Sequence, residues 1–291
     1  MQAKKIRFGP GGNPDSFYAA GHKASVEMPA CLAGQGLNAY EYQCSRGVRI
    51  SQKLAEQLGD EAAKFDIALS IHAPYYINLA SLDPKIQDSS KGHLLKSIQA
   101  AIWMGARTVV FHAGGVAKVD RELAMVQAKA ILLEVLEVSY AKFGPHRVRL
   151  APETMGKQNQ LGHLDEVLEL CSLSSQLLPA IDFGHLNALH QGQIDNREAV
   201  GKILETIDRK LGREIADNIH VHFSPVEFTA SGEKKHWTLL NPEYGPDFAH
   251  LAYHLAARKM SPTIICESAG RQGEDALAYL QCYHEFVRLT A

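Results

Sequence analysis

Short apolar segments alternate with longer amphipathic segments along the whole chain. Eight segments have the length and apolar character of buried strands, at residues 5–9, 38–43, 67–72, 108–112, 147–153, 177–182, 218–223 and 263–267. Short, continuously apolar strands that are separated by helices are typical of parallel sheets whose two faces are covered. The pattern therefore predicts an α/β fold.

Helices are predicted in the gaps between these strands. Leu54, Leu58 and Ala62 recur on one side of a helix over residues 51–65. The other predicted helices cover residues 91–105, 121–144 and approximately 195–212, 246–259 and 273–289. Eight strand and helix units predict a closed (β/α)8 TIM barrel that forms a single domain over residues 1–291. A doubly wound open sheet is the alternative, but it usually has fewer strands, and its GxGxxG fingerprint does not follow the first strand.

Composition and charge exclude several classes of protein. The formal net charge is −2, so bulk charge does not indicate nucleic-acid binding, although a local groove can still be positive. Five cysteines are scattered without a CxxC pair, which favours a reducing compartment. No apolar run approaches 18 residues, and the N-terminal segment lacks the apolar core of a signal peptide. We therefore expect a cytoplasmic protein that does not enter a membrane.

Six successive predicted strands end in residue types that bind metal ions. These residues are His72, His112, Glu153, Asp182 with His185 close behind it, His220 with His222, and Glu267. The carboxyl ends of the strands in a barrel meet at one mouth, so the side chains are expected to lie together. Each one alone has an ordinary explanation, such as a core histidine or, for Asp182, a helix N-cap. Those explanations would have to hold at six equivalent positions.

The mixture of imidazoles and carboxylates predicts the kind of metal. Nitrogen and oxygen ligands without thiolates suit Zn²⁺ or Mn²⁺. The ligands outnumber those that one tetrahedral ion uses, so we predict a cluster of two or three ions. Such clusters hold the attacking and leaving oxygens of a phosphoryl group and activate water near neutral pH.

Several segments resemble the endonuclease IV family of apurinic/apyrimidinic endonucleases, within the xylose-isomerase-like barrels. They are "HAPYYINLAS", "FHAGG", "ETMGKQNQLG", "IDFGH", "HVHFS" and "ICES", and the resemblance spans about residues 65–270. It implies a monomeric DNA-repair enzyme with a trinuclear zinc cluster. Such an enzyme hydrolyses the DNA phosphodiester bond 5′ to an abasic site in base excision repair.

The resemblance also assigns the ligands. It implies a first ion on His72 and His112, a bridging Glu153, a second ion on Asp182, His222 and Glu267, and a third ion on His185 and His236. Glu153 and Glu267 are the expected catalytic residues. Tyr75, Tyr76 and Arg46 are expected to contact DNA, where the alternative for the two tyrosines is packing on the barrel rim.

The sequence departs from the family in the loop that carries His236. The family has an aspartate two residues before this histidine, whereas this chain has Lys234. A protonated lysine does not bind metal, and Glu233 could substitute only if the loop had a different register. The seventh strand also offers His220 as an alternative to His222, because both point to the same face.

Two other functions compete with the nuclease. A sugar isomerase or epimerase of the same superfamily would hold one divalent ion with Glu153, Asp182, His222 and Glu267. It would have no use for His72 and His112 beside Glu153, and these two histidines therefore favour the nuclease. A barrel that binds metal without nuclease activity is the third hypothesis, which only Lys234 favours.

Overall fold

A computed structural model describes residues 5–116 and 119–290. The predicted single domain also includes residues 1–4, 117–118 and 291, which lie outside the described residues. The strands in chain order are β1 (Arg7–Pro10), β2 (Ala39–Gln43), β3 (Ala68–His72), β4 (Thr108–Phe111), β5 (Arg149–Pro152), β6 (Ala180–Asp182), β7 (His220–Phe223), β8 (Val226–Thr229), β9 (Gly232–His236) and β10 (Thr263–Cys266).

Eight of these strands form a closed parallel barrel. Hydrogen bonding gives two four-stranded runs, in the orders β2-β3-β4-β5 and β6-β7-β10-β1. Single parallel bridges join the runs on both sides, from Gly11 to Glu41 and from Glu153 to Ala180. The predicted TIM barrel is confirmed, and each of the eight predicted strands is present with its ends shifted by at most three residues.

Helices cover the outside of the barrel. In chain order they are α1 (Asp15–Ala19), α2 (Met28–Gln35), α3 (Gln52–Lys64), α4 (Pro84–Met104), α5 (Arg121–Phe143), α6 (Leu164–Cys171), α7 (Phe183–Leu189), α8 (Arg197–Leu211), α9 (Arg213–Ala216), α10 (Phe248–Arg258) and α11 (Gln272–Thr290). The six predicted helices correspond to α3, α4, α5, α8, α10 and α11. Side chains of Ser51, Asp83 and Asp120 accept backbone N–H groups at the starts of α3, α4 and α5, which fixes where these helices begin.

The apolar core lies between the strands and the helices. Side chains such as Phe8, Ile71 and Phe111 are fully buried there and belong to one continuous cluster. Val110, Ala151 and Ala180 form a separate small apolar cluster inside the barrel. Polar side chains such as Glu41, His220 and His222 are also buried in the barrel interior.

The antiparallel pair β8 and β9 was not predicted. It lies in the connection between β7 and α10 and contacts α7. None of the helices in the described ranges is both long and apolar enough to cross a membrane.

Candidate metal centre at the barrel mouth

Six of the predicted ligands lie together at the carboxyl ends of the barrel strands. They are His72, His112, Glu153, Asp182, His222 and Glu267, which we call the inner ligands. Four of them, His72, Glu153, Asp182 and His222, are fully buried. Ligand atoms of Glu153, Asp182, His222 and Glu267 all lie within 4.8 Å of one another. These side chains meet at the mouth because each lies at or just beyond the carboxyl end of a parallel barrel strand.

Glu153 lies at the middle of the inner ligands. Its Oε2 is 3.3 Å from Nε2 of His72 and 3.0 Å from Nε2 of His112. Its Oε1 is 2.9 Å from Nδ1 of His222, which is also 3.5 Å from Oε2 of Glu267. The two oxygens of one carboxylate thus face two different sets of ligands.

Asp182 uses its two carboxylate oxygens differently. Oδ1 accepts the backbone N–H of His185 at 2.7 Å and caps the start of α7. Oδ2 is buried, lies 3.6 Å from Nδ1 of His185, and has no hydrogen-bond partner among the described residues. The helix-cap explanation and the ligand explanation therefore both fit this residue. A buried carboxylate oxygen without a donor is costly, and a metal ion would satisfy it.

A second group of ligands forms where α7 meets the hairpin. His185 Nε2 is 3.3 Å from Nε2 of His236 and 3.3 Å from Oε2 of Glu233. His236 Nε2 is 3.6 Å from Oε1 of Glu233. We call Glu233 and His236 the outer ligands, because they lie on β9 and not on the barrel.

A β-bulge brings Glu233, and not Lys234, next to His236. Residues two apart in a regular strand share a face, which would place Lys234 beside His236. In the hairpin, however, Glu227 pairs with Lys235 and Phe228 pairs with Glu233, so Lys234 is an extra residue between them. Lys234 instead forms an ion pair with Glu227. The hairpin thus has the different register that Glu233 needs if it is to take the place of the family's aspartate beside His236.

Two glycines allow the hairpin to approach the barrel. Gly232 has φ +102°, and a Cβ there would lie 2.2 Å from the carbonyl oxygen of Gly156. A Cβ on Gly156 would lie 2.6 Å from Cβ of Glu233. The Glu233 backbone N–H donates to this same Gly156 oxygen at 2.9 Å. The close contact of the two backbones fixes the position of the Glu233 side chain.

In three of the histidine rings, Nδ1 lies within hydrogen-bond distance of an oxygen atom outside the two ligand groups. Nδ1 of His72 lies 2.8 Å from the carbonyl oxygen of Ala73, and Nδ1 of His185 lies 2.9 Å from the carbonyl oxygen of Thr154. Nδ1 of His236 lies 2.7 Å from the hydroxyl of Ser224. With Nδ1–H donating in each ring, Nε2 is left as the acceptor that faces the centre.

The groups in the centre have strongly shifted pKa values. Burial alone would raise the pKa of Glu153, but His222 and His112 outweigh it and hold the pKa well below its usual range. Burial raises the pKa of Asp182, and the Glu153 charge adds to this effect. Burial lowers the pKa of His185, but Asp182 and Glu233 reverse this and raise it to about 9. A divalent cation would replace protons at this site.

A cavity of about 700 Å³ opens beside His112. Tyr75, Tyr76, Lys85 and Lys157 line it. Both tyrosine side chains are more than half exposed, at 52% and 58%. Tyr75 lies against the imidazoles of His72 and His112, with ring centroids 5.3 and 5.2 Å apart, so it packs on the rim and faces solvent at once.

Arg46, the third residue expected to contact DNA, is exposed in the loop after β2. It is not among the described residues that line the cavity.

Two buried residues inside the barrel were not predicted in their observed roles. Glu41 on β2 is fully buried, and its Oε2 lies 2.8 Å from Nε2 of His220. Its Oε1 lies 2.9 Å from Nε2 of His222. His220 is thus directed away from the centre, and His222 is the histidine of β7 that faces Glu153. A charged residue inside a predicted buried strand was the signal in the sequence, because such a charge needs a partner.

The chemistry of these donors fits divalent metal ions. The structure brings all eight predicted ligands together in the inner ligands and the group at the hairpin, and it adds Glu233. Imidazole nitrogens and carboxylate oxygens suit Zn²⁺ or Mn²⁺. The unpartnered Oδ2 of Asp182 is the observation that agrees best with a cation at this position.

The sequence and the fold are similar to known proteins. Residues 31–282 match the family described as Xylose isomerase-like TIM barrel. An uncharacterised protein of Methanocaldococcus jannaschii is 32% identical over 249 residues, 86% of this chain and 88% of that protein. A probable endonuclease 4 of Mycoplasma pneumoniae is 33% identical over 159 residues, 53% of this chain, and the match spans 52% of that relative's length.

Solved structures of two kinds have the same fold. Endonuclease IV from Thermus thermophilus superimposes with a TM-score of 0.69 at 20% identity, covering 97% of this chain and 99% of that one. A D-tagatose 3-epimerase-like protein gives a TM-score of 0.67 at 19% identity, covering 87% of this chain and 90% of that one. At these identities the likeness establishes the fold alone.

Proposed function

Because the chain belongs to the xylose isomerase-like TIM barrel family, we propose that it is a metal-dependent endonuclease acting on abasic sites. It would hydrolyse the DNA phosphodiester bond 5′ to the abasic site, as a step of base excision repair. The name of the Mycoplasma pneumoniae relative, probable endonuclease 4, supports this proposal.

One observation carries the proposal. The Glu153 carboxylate has His72 and His112 at one oxygen and His222 at the other. This is the arrangement that a carboxylate bridging two metal ions requires. A single-ion site would use only the side that faces His222, Asp182 and Glu267.

The residues of the chain fit two or three divalent ions. The inner ligands would hold two ions, and His185, Glu233 and His236 would hold a third. Bound Zn²⁺ or Mn²⁺ supplies Lewis acidity to a phosphate oxygen and lowers the pKa of a nearby water. Glu153 and Glu267 are the proposed catalytic residues. The Glu153 carboxylate lies between His72 and His112 on one side and His222 on the other, and Glu267 also lies beside His222.

Other residues would bind and orient the nucleic acid. Tyr75 and Tyr76 offer exposed rings next to the centre, on which bases could stack beside an abasic gap. Lys85 and Lys157 line the adjacent cavity and would neutralise flanking phosphates. Arg46, exposed in the loop after β2, would contact a phosphate of the duplex.

A sugar epimerase or isomerase is the second candidate. The group formed by Glu153, Asp182, His222 and Glu267 is what such an enzyme would use for one ion. The structural match to the D-tagatose 3-epimerase-like protein also supports it. This candidate assigns no role to His72, His112 or the outer ligands.

The test combines metal content with substrate. Protein purified without chelator is assayed for metals per chain, then incubated with a duplex oligonucleotide carrying one abasic analogue and with the intact duplex. Two or three ions and incision 5′ to the abasic position alone would support the proposal. One ion per chain, no incision, and epimerisation of ketose sugars would overturn it in favour of the second candidate.

A further inference from the structure

We infer that Glu41 is a positioning residue for the proposed metal centre, because it orients His222 from the side opposite to the metal ligands. The inference rests on the proposed function. It assigns a role to a fully buried carboxylate on β2 that lies outside the inner and outer ligands.

His222 differs from the other histidines in the way its ring is held. His72, His185 and His236 have oxygen atoms at Nδ1, and they turn Nε2 to Glu153 in the case of His72 and to each other in the case of His185 and His236. His222 does the reverse, with Nδ1 2.9 Å from Glu153. Its Nε2 lies 2.9 Å from Oε1 of Glu41, a short contact in which the direction of the N–H does not satisfy hydrogen-bond geometry. Glu41 therefore occupies the place that a backbone carbonyl or a hydroxyl takes at the other rings.

Side chains from two other strands hold Glu41 in this position. Its Oε2 accepts the hydroxyl of Ser70 on β3 at 2.8 Å and faces Nε2 of His220 on β7 at 2.8 Å. A buried carboxylate needs such partners to remain charged. Its Oε1 accepts an N–H of Gln43 Nε2 at 3.5 Å and also faces His222.

The charge on Glu41 favours one tautomer of the His222 imidazole. A neutral imidazole carries a single N–H, and the nearby carboxylate favours its placement on Nε2. The lone pair is then on Nδ1, which faces Glu153 and Glu267. Outer partners of this kind typically contribute about 10- to 100-fold to metal affinity.

Glu41→Gln tests the inference, since glutamine has the same shape but offers an N–H to one of the two histidines. We expect one ion of the cluster to bind about 10- to 100-fold more weakly, measured by chelator competition at constant pH. The matched control is Asp275→Asn, which alters another buried carboxylate, one that accepts the Leu239 backbone N–H. The control should bind metal like the wild type. Unchanged affinity in a folded Glu41→Gln protein would overturn the inference.

A measurement on the wild type does not depend on how the variant folds. In the Zn²⁺-loaded protein, ¹⁵N NMR of the histidine rings, assigned with His222→Asn, should show His222 protonated at Nε2 and metal-bound at Nδ1. Metal bound at Nε2 would overturn the inference, and would indicate instead an ion between Glu41, His220 and His222. If the wild-type protein binds no divalent ion, the proposed function itself is contradicted. If the wild type and Glu41→Gln bind ions equally tightly, only the role of Glu41 is contradicted.

Discussion

The inner ligands and the outer ligands are positioned by different kinds of structure. Each inner ligand follows or ends a barrel strand that is hydrogen-bonded on both sides, so its height at the mouth is set by two neighbours. Glu233 and His236 lie on a two-stranded hairpin in which a bulge decides which side chain faces inward. The inward side chain of the hairpin therefore depends on the bulge, whereas the inner positions depend on the pairing of the barrel strands.

The largest effect should come from the inner ligands. Glu153→Gln removes the charge between His72, His112 and His222. We expect the rate of abasic-site incision to fall by more than about 100-fold, which exceeds the usual effect of losing a residue that only hydrogen-bonds to a metal ligand. Initial rates on the abasic duplex measure the effect, and circular dichroism checks the fold. An active Glu153→Gln protein would show that the carboxylate does not bridge two ions.

A charge-preserving exchange tests the outer ligands. In the double variant Glu233→Lys with Lys234→Glu, the bulge would turn a lysine toward His185 and His236. We expect the chain to lose one ion, with at least about tenfold weaker affinity at that position. Metal analysis and titration measure this.

The control for this exchange is Lys234→Gln, which should keep the full metal content, because Lys234 contacts Glu227. Deleting Lys234 should also keep the site, since Glu233 and His236 would then be two positions apart on one face of a regular strand. Loss of the ion in Lys234→Gln would mean that the bulge is not where the structure places it.

The stability of the metal-free protein should fall as the pH rises, whereas the affinity for metal should increase. The pKa of His185 is raised to about 9 from its usual value near 6.5, so the metal-free folded protein gains stability from the proton below pH 6.5 and loses it toward pH 9. A cation must displace that proton, so metal affinity should rise about tenfold per unit between pH 7 and 8. Melting curves of the metal-free protein and metal titrations at several pH values check both signs. Affinity that does not change with pH would exclude His185 as a ligand.

The smallest expected effect concerns the DNA-facing rim. Tyr76→Ala should raise KM for the abasic duplex about fivefold, equivalent to ~1 kcal/mol of stacking, without changing the metal content. Tyr76→Phe keeps the ring and should behave like the wild type. If Tyr76→Ala has normal kinetics, the ring only packs on the rim, where its centroid lies 5.9 Å from that of His93.

The barrel and the inner ligands could be predicted from the sequence because they repeat one rule. Every barrel strand is a short apolar run, and a ligand type ends six of them in succession, so pattern and position support each other. The short helix α7 was missed, because in "IDFGH" the capping residue and the first turn overlap with the predicted ligands.

The outer ligands and Glu41 depend on facts that the sequence does not display. The segment Gly232–His236 has three charged residues among five and no apolar alternation, so it gave no strand signal. The bulge at Lys234 depends on the ion pair with Glu227 and on the contact of Gly232 with Gly156. Glu41 meets Ser70 on the paired strand β3, but its other partner, His220 on β7, is distant in sequence and approaches it only when the barrel closes.

The divided carboxylate of Asp182 has an evolutionary consequence. One oxygen starts a helix and the other faces the centre, and asparagine could replace the first function but not the charge of the second. A descendant of this chain that gave up metal could therefore accept asparagine at position 182 and keep its architecture. Among proteins that inherit this barrel, the residue at this position would then indicate whether the proposed metal centre has been retained.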